Sequence, residues 1–288
     1  MSIASPQDLP PAAATSVGPA IFAGMSPAMS PVPSATVPLK HITAVTSGKG
    51  GVGKTFVAAN LAAALARNGR RVLVLDADLG LANLDVVLNL FPKITLHDVF
   101  TGKNTLAEAI LPAPGNFSVI LAGSGMVEYS RMTPEVREKL QAIVAEVAPK
   151  FDHVLLDTGA GISDVVLYTV SLANDVIVVA TPEPTSMTDA YATIKVLATT
   201  QGRRAMHVLV NQARRPGEGR AVRQQLQTVV DRYVNPGLDS PVRLDLLGDV
   251  PADSAVREAV LKRQLLMETQ PGAPASVAIA AIAAKLTE

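Results

Sequence analysis

The 288-residue chain contains no cysteine, and aromatic residues make up only 3% of it. Without cysteine, the chain can hold no disulfide, thiolate zinc site, cysteine nucleophile or cysteine-ligated iron–sulfur cluster. Hydrophobic residues nevertheless make up 48% of the chain, and many of them are alanine. This composition favours helices packed closely on a sheet over a β-sandwich.

Net charge and long apolar runs are also missing. The formal net charge is zero, so no overall field draws the protein to DNA or anionic lipid, and such binding would need a local patch. No apolar run approaches the ~20 residues that a membrane span requires. No basic segment precedes an apolar core at the N-terminus, as it would in a secretion signal. These absences predict a cytoplasmic protein.

Residues 1–39 differ in composition from the rest of the chain. They are dominated by proline, alanine and serine, and Asp8 is their only charged side chain. Closely spaced prolines break helices and central strands, and the segment has no steady apolar period. We predict a disordered leader, with a short docking motif around Ile21 and Phe22 as the alternative. The folded domain is predicted to span residues 40–288.

From Lys40 onward, short β-branched runs alternate with helical patterns, which is typical of a parallel sheet with crossover helices. Helices are predicted at Lys54–Arg67 and after Thr133, an expected N-cap followed by proline. The pattern predicts one α/β domain, a mostly parallel twisted sheet with helices on both faces. Its strands are predicted at Ile42–Ser47, Arg71–Asp76, Phe117–Ala122, His153–Asp157, Asp175–Ala180, Met206–Asn211 and Leu244–Val250.

The first predicted strand runs directly into a glycine-rich segment, Gly48-Lys49-Gly50-Gly51-Val52-Gly53-Lys54-Thr55. This is the strand–G-x-x-x-x-G-K-[ST]–helix pattern of a phosphate-binding loop. Glycines let the backbone curl so that N–H groups point at phosphate oxygens, and the helix N-terminus adds positive charge. Lys54 would neutralise the β- and γ-phosphates, and the Thr55 hydroxyl would bind Mg²⁺. Phe56 adjoins the loop and is included in the predicted nucleotide site.

A second lysine, Lys49, follows the first glycine of the loop, where an ordinary phosphate loop needs none. This feature resembles the deviant loop of the MinD/ParA class of ATPases. The resemblance implies a P-loop NTPase fold, ATP and Mg²⁺ as cofactors, slow hydrolysis and an ATP-dependent homodimer. It also implies that Lys49 reaches the partner subunit's nucleotide and stabilises phosphate charge there, much as an arginine finger does. A solvated loop lysine is the alternative.

Two further predicted strands end in aspartate, at the sheet edge where open parallel sheets bind nucleotides. Asp76 and Asp78 follow the second strand, and Asp157 ends the fourth beside a glycine-rich turn, which resembles a Walker B element. The resemblance implies that Asp157 holds Mg²⁺ through water, that Asp78 orients the attacking water, and that Asp76 lies near the metal. The alternative is that these residues cap the following helices.

The resemblance also implies where adenine binds. Members of the class use an asparagine after a late strand and a proline-containing loop after the last strand. Asn211 and Pro251 occupy these places. Ordinary turn residues are the alternative at both positions.

Three further segments resemble the subgroup of flagellar-number regulators called FlhG or FleN. In that subgroup, the ATP-bound dimer engages the flagellar GTPase FlhF, flagellar switch proteins or a flagellar transcription activator, and can visit the inner membrane or cell pole. Residues 1–39 lack the acidic-glutamine-alanine motif by which many members stimulate the GTPase. The three segments are ADLGLANLD at 77–85, EPTSMTDAY at 183–191 and GDVPADSAVR at 248–257.

The alternative function is that of a MinD/ParA-type positioning ATPase bound to membrane or nonspecific DNA. A terminal helix with Ile279, Ile282 and Leu286 on one face could seek a membrane, but its shortage of cations favours packing on the core. One group of arginines could form a basic face, or could simply be scattered and solvated. They are Arg203, Arg204, Arg214, Arg215, Arg220 and Arg223.

Overall fold

The computed structural model describes residues 41–80, 82–123, 129 and 131–287, all within the unit Leu39–Glu288. The predicted leader and its docking motif lie outside the described residues. The described chain forms an eight-stranded sheet with helices on both faces. The predicted α/β fold is therefore confirmed.

The strands run in the spatial order β3-β4-β2-β5-β1-β6-β7-β8. Every neighbouring pair is parallel except β3 and β4, which are antiparallel. The carboxyl ends of the parallel strands therefore meet at one edge of the sheet. The bounds are β1 (Ile42–Ser47), β2 (Val72–Ala77), β3 (Leu111–Ala113), β4 (Phe117–Ile120), β5 (His153–Ala160), β6 (Asp175–Ala180), β7 (Ala205–Ala213) and β8 (Arg243–Pro251).

Two apolar cores enclose the sheet, one on each face. Helices α3 to α8 contribute to the first core, and α1, α2 and α9 to α11 contribute to the second. The bounds are α1 (Lys54–Arg67), α2 (Leu84–Leu88), α3 (Leu96–Phe100), α4 (Leu106–Ala109), α5 (Pro134–Val147), α6 (Asp164–Ser171), α7 (Pro184–Thr200), α8 (Glu218–Tyr233), α9 (Ser254–Leu261), α10 (Leu266–Thr269) and α11 (Pro274–Lys285).

Local sequence explains where these elements begin and end. Helix α5 starts as predicted, with the Thr133 side chain accepting a hydrogen bond from the Val136 N–H and Pro134 in the first turn. Helix α1 is buried on almost every side, which its many alanines permit because they allow close approach. The short strand β3 was not predicted. It has only three residues and contains Pro112, and proline within a short run argues against a strand.

Several strand ends lie beyond their predicted positions. Strand β2 continues to Ala77, and β5 continues past Asp157 to Ala160. Strand β4 instead ends at Ile120, two residues before its predicted end. The glycine-rich turn after Asp157 therefore begins inside a strand, so its first residues are held by the sheet.

The terminal helix α11 packs on the core, as the composition favoured. Ile279 and Ile282 are almost fully buried, and the helix contacts both α1 and β8. Across the described ranges, no helix has the length and apolar character needed to cross a bilayer.

Three of the predicted surface arginines make internal hydrogen bonds instead. Arg203 donates to carbonyls at the end of α6, including Val170 and Ala173, and Arg204 donates to the Ala198 carbonyl. The third, Arg223, donates to the Leu244 carbonyl of β8. Gln227 also bonds this outer side of β8, donating to the carbonyl of Val242 and accepting from the N–H of Leu244. Arg203, Arg204 and Arg223 are therefore partly buried, and their guanidinium groups hold backbone carbonyls of the same chain.

Candidate nucleotide-binding site

The predicted phosphate loop joins β1 to α1. Gly51 and Gly53 have φ values of 78° and 93°, a left-handed conformation that favours glycine. A Cβ atom on Gly48 would overlap the backbone oxygen of Asp189 in α7. Glycine at position 48 thus lets α7 pack directly against the loop.

Lys54 points into the protein at the end of this loop and is only 9% exposed. Burial lowers its pKa below the usual lysine range, whereas the negative charges of Asp157 and Asp78 raise it. A buried ammonium group needs anionic partners. The arrangement suits an anionic ligand that would share Lys54 with these two carboxylates.

Thr55 and Asp157 are directly connected. The Thr55 hydroxyl donates to the Asp157 carboxylate, and burial raises the pKa of Asp157 to about 7 against the lowering effects of that bond and of Lys54. The Oδ1 atom of Asp157 is buried without a hydrogen-bond partner. A hydroxyl beside a carboxylate with a spare oxygen is the donor set of a phosphate-loop Mg²⁺ site. These residues therefore fit the metal.

Asp76 has a different environment. Its Oδ1 accepts from the N–H of Asp78 at 3.2 Å, and its Oδ2 accepts from the N–H of Leu84 at 3.4 Å. Burial, together with the charge of Asp157, raises its pKa well above the ordinary range. Both oxygens of Asp76 are thus used to shape the segment that carries Asp78. Within the described ranges, no cluster of three or more histidine or acidic side chains could hold a metal by itself.

Asp78 lines the same cavity as the phosphate loop. The cavity has a volume of about 700 Å³, and Lys54, Thr55, Asp78 and Gly159 all line it. A Cβ atom on Gly159 would lie 3.3 Å from the Asp78 carboxylate. The turn after β5 therefore lies against Asp78, and a side chain at position 159 would require that carboxylate to shift by a few tenths of an ångström.

Lys49 lies on the outer side of the loop. Its Nζ atom is 3.3 Å from Glu183 Oε2 and 3.0 Å from Thr185 Oγ1, at the start of α7. The ammonium therefore bonds two side chains of α7 and its N-cap in the same subunit, rather than the buried carboxylates. The sequence contains Glu183 and Thr185 in a segment that resembles the flagellar regulators, but their contact with Lys49 was not predicted. Their position directly after β6, the strand beside β1, was the available signal.

Asn211 connects the end of β7 to the phosphate loop. Its Nδ2 donates to the Val52 carbonyl at 2.8 Å, and its Oδ1 accepts from the N–H of Gln212 at 2.9 Å. A Cβ atom on Gly53 would overlap the Asn211 amide. One N–H and one lone pair of the amide remain, which suits the edge of an adenine base.

A second cavity, of about 460 Å³, adjoins the loop on the side of β8. Gly53, Phe56, Asn211, Pro251 and Val260 are among the residues that line it. Its walls are largely apolar, with the Asn211 amide among a few polar groups, as is usual for an aromatic ligand. Phe56 and Val260 also line the first cavity, so two side chains border both.

The predicted site residues therefore come together in two connected places. Lys54, Thr55 and Asp78 line the first cavity, with Asp157 buried behind Thr55, whereas Asn211 and Pro251 border the second. Asp76 acts through its backbone contacts, and Lys49 lies at the rim. Asp253 belongs to the same proline-containing loop as Pro251, whereas Val260 of α9, which also lines the second cavity, was not predicted.

Comparisons with known proteins agree with this geometry. Residues 38–287 match the family model described as ParA, NUBPL iron-transfer P-loop NTPase. The chain is 43% identical over 246 residues to the antiactivator FleN of Pseudomonas aeruginosa, covering 85% of this chain and 86% of FleN. It is 33% identical to the flagellum site-determining protein YlxH of Helicobacter pylori, covering 79% and 75% of the two chains. The cell division ATPase MinD of Pyrococcus furiosus superposes with a TM-score of 0.71 at 27% identity, covering 86% and 98%.

Proposed function

The chain belongs to the ParA family of P-loop NTPases, and from that premise we propose that it is a Mg²⁺-dependent ATPase switch. In this proposal, ATP binding converts the monomer to a homodimer, and the dimer regulates the number or placement of flagella through partner proteins. Slow hydrolysis returns the protein to the monomer. The family description mentions iron transfer. This chain has no cysteine, so it cannot bind a cysteine-ligated iron–sulfur cluster.

One observation carries the proposal, namely the convergence of three kinds of group on one cavity. Lys54 supplies a buried positive charge, Thr55 supplies a hydroxyl bonded to the buried Asp157 carboxylate behind it, and Asp78 supplies a carboxylate that lines the cavity. Phosphoryl transfer needs little covalent chemistry from a protein and depends on positioning and charge stabilisation. These residues provide both.

Each residue has a distinct proposed role. Backbone N–H groups of the loop and the Lys54 ammonium bind the β- and γ-phosphates. Thr55 directly, and Asp157 through water, would hold Mg²⁺, which when bound neutralises charge on the phosphates. Asp78 orients the attacking water and accepts its proton. Asp76 holds the backbone N–H of Asp78 and so fixes the approach of that carboxylate.

Dimerisation is supported by the position of Lys49. This lysine lies at the rim of the site and bonds Glu183 and Thr185 rather than any group inside the cavity. A loop lysine that serves its own nucleotide would be expected inside the cavity, as Lys54 is. We propose that Lys49 leaves Glu183 when ATP is bound and reaches the nucleotide of the partner subunit.

The flagellar role is supported by the two relatives whose names refer to it, the antiactivator FleN and the flagellum site-determining protein YlxH. Candidate partners are a flagellar transcription activator, flagellar switch proteins and the flagellar GTPase FlhF. The second candidate function, a positioning ATPase on membrane or DNA, is favoured by the likeness to MinD structures, one of which is a complex with MinC. The burial of the apolar face of α11 is an argument against that helix as a membrane anchor.

Two measurements test the proposal together. Purified protein should hydrolyse ATP only with Mg²⁺, and light scattering should show a dimer with ATP and Mg²⁺ but a monomer with ADP. Filter binding to nonspecific DNA and anionic vesicles, with and without ATP, separates the two candidate functions. Absence of ATP hydrolysis would contradict the enzyme assignment. ATP-dependent retention on DNA or vesicles would favour the positioning function.

A further inference from the structure

The Asp253 carboxylate connects two helices to the loop that lines the second cavity, where the base is proposed to bind. Asp253 follows the last residues of β8 and lines this cavity. Its Oδ1 accepts from the N–H of Ala255 at 2.9 Å, which caps α9. Its Oδ2 accepts from the N–H of Ala275 at 3.1 Å, in the first turn of α11. The loop, α9 and α11 therefore share one anchoring point.

The other end of α11 is attached to β8 itself. The Lys285 ammonium donates to the Leu247 carbonyl at 2.7 Å. Between the two ends, Ile282 packs so closely on the strand that a Cβ atom on Gly248 would lie 2.5 Å from its Cγ1. Helix α11 is thus bonded to the loop after β8 at its N-terminal end and to β8 itself at its C-terminal end, and it packs against the strand in between.

The same helix packs on α1, the helix that begins at the phosphate loop. Ala275, Ile279 and Ala283 of α11 are fully or almost fully buried in the core that includes α1. Helix α11 therefore contacts both elements that carry the nucleotide subsites, α1 for the phosphates and β8 for the base. Because protein interiors are close-packed, a shift of one of these elements would move the others with it.

We infer that α11 fixes the distance between the phosphate and base subsites, and that Asp253 is the positioning residue through which α11 holds the loop of the base subsite. The inference rests on the proposed ATP binding and deepens it. Asp253 acts by holding the loop through two hydrogen bonds, so its loss should weaken recognition of the base. Binding of the phosphate chain should remain, because α1 and the phosphate loop keep their own contacts.

The test compares two ligands by calorimetry in the presence of Mg²⁺. ATP uses both subsites, whereas inorganic tripolyphosphate uses only the phosphate loop. Asp253→Ala should lower the affinity for ATP about tenfold, the order expected for losing a charge-assisted hydrogen bond, and leave that for tripolyphosphate within about twofold. Asp245→Ala is the matched control, because this exposed aspartate of β8 pairs only with Arg243 in the described structure. It should change neither affinity.

A second variant separates the two hydrogen bonds. Serine is a good N-cap residue, so Asp253→Ser should keep α9 capped and the protein folded but should be too short to reach Ala275. We expect it to lose ATP affinity as Asp253→Ala does. Full ATP affinity in Asp253→Ser would overturn the role of α11, and equal weakening of both ligands in Asp253→Ala would overturn the positioning role. If wild-type protein binds neither ligand, the proposed nucleotide site itself is wrong.

Discussion

The Lys49 ammonium lies 3.3 Å from the Glu183 carboxylate of the same chain. The two side chains are 39% and 55% exposed, and an ion pair of this kind contributes only about 0–1 kcal/mol. The contact is strong enough to orient the lysine and weak enough to be exchanged for a triphosphate. Lys49 can therefore exchange Glu183 for another anionic partner at little cost in free energy.

The first prediction compares the two members of this pair. Lys49→Ala should bind ATP normally but neither dimerise nor hydrolyse it, because the phosphate contact across the interface is lost. Glu183→Gln should shift the dimer equilibrium by no more than about fivefold, since removing an exposed ion pair changes the free energy by less than about 1 kcal/mol. Light scattering across a protein concentration series measures both. A normal ATP-dependent dimer of Lys49→Ala would exclude the proposed contact.

The second prediction concerns the buried lysine. Lys54→Ala should abolish detectable ATP binding, because it removes the principal cation from a site where water cannot replace it. Calorimetry with a non-hydrolysable ATP analogue is the measurement. Lys150→Ala is the control, since this exposed lysine pairs with Glu146 and should leave affinity unchanged. Affinity near the wild-type value in Lys54→Ala would show that the loop does not bind phosphate.

The third prediction separates binding from hydrolysis. Asp78→Ala should bind ATP and dimerise, yet hydrolyse ATP ~10²–10⁴-fold more slowly, the usual effect of losing a general base. Gly159→Ala should also slow hydrolysis, because its methyl group would press on the Asp78 carboxylate from 3.3 Å. Single-turnover rates and dimer lifetimes measure both effects.

The same variant has an expected effect in cells. In a flagellated host, the long-lived Asp78→Ala dimer should lower flagellar number, whereas Lys54→Ala should raise it. A wild-type hydrolysis rate in Asp78→Ala would mean that another group orients the water. Failure of that variant to dimerise would instead give Asp78 a structural role.

The fourth prediction concerns stability at acidic pH. His153 is 3% exposed and stacks on His41, with ring centroids 4.8 Å apart. Burial, with the charges of His41 and Arg70, lowers its pKa to about 4, although Asp152 opposes the shift. In the unfolded chain this histidine is protonated below its ordinary pKa of about 6.5. The contribution of neutral His153 to stability is therefore fully present above about pH 6.5 and falls as the pH drops towards 4.

The expected loss is on the order of 3 kcal/mol, from 1.36 kcal/mol for each unit of pKa difference. His153→Phe keeps a ring beside His41 but cannot titrate, so its free energy of unfolding should vary less over this range. Urea titrations at pH 7, 5.5 and 4.5 compare the two proteins. An equal pH dependence in both would assign the acid sensitivity to other groups.

The sequence predicted what depends on strong local rules. The phosphate loop is specified by its glycines and Lys54, and α5 by Thr133 and Pro134, so both could be located without any knowledge of tertiary contacts. Central strands were found because buried parallel strands are continuously β-branched. The short edge strand was missed because three residues with Pro112 among them carry no such pattern.

Contacts between distant segments could not be predicted in this way. Nothing local to Asn211 indicates that its amide holds the Val52 carbonyl, 159 residues earlier in the chain. The same is true of Asp253 and Ala275, and of Arg203 at the end of α6. In each case the partner is a backbone group. Nearly every residue has the same backbone groups, so the sequence does not indicate which of them is the partner.

The two outer strands limit how two copies of this chain can join. At one edge of the sheet, β3 is short, and Pro112 has no N–H to donate. At the other edge, side chains of Arg223, Gln227 and Lys285 already bond the outward backbone groups of β8. In the part of the chain that the structure describes, both edges are therefore poorly suited to strand addition, which limits edge-to-edge aggregation. A homodimer of the proposed kind would then join through loops and helices, where a ligand such as ATP can control it.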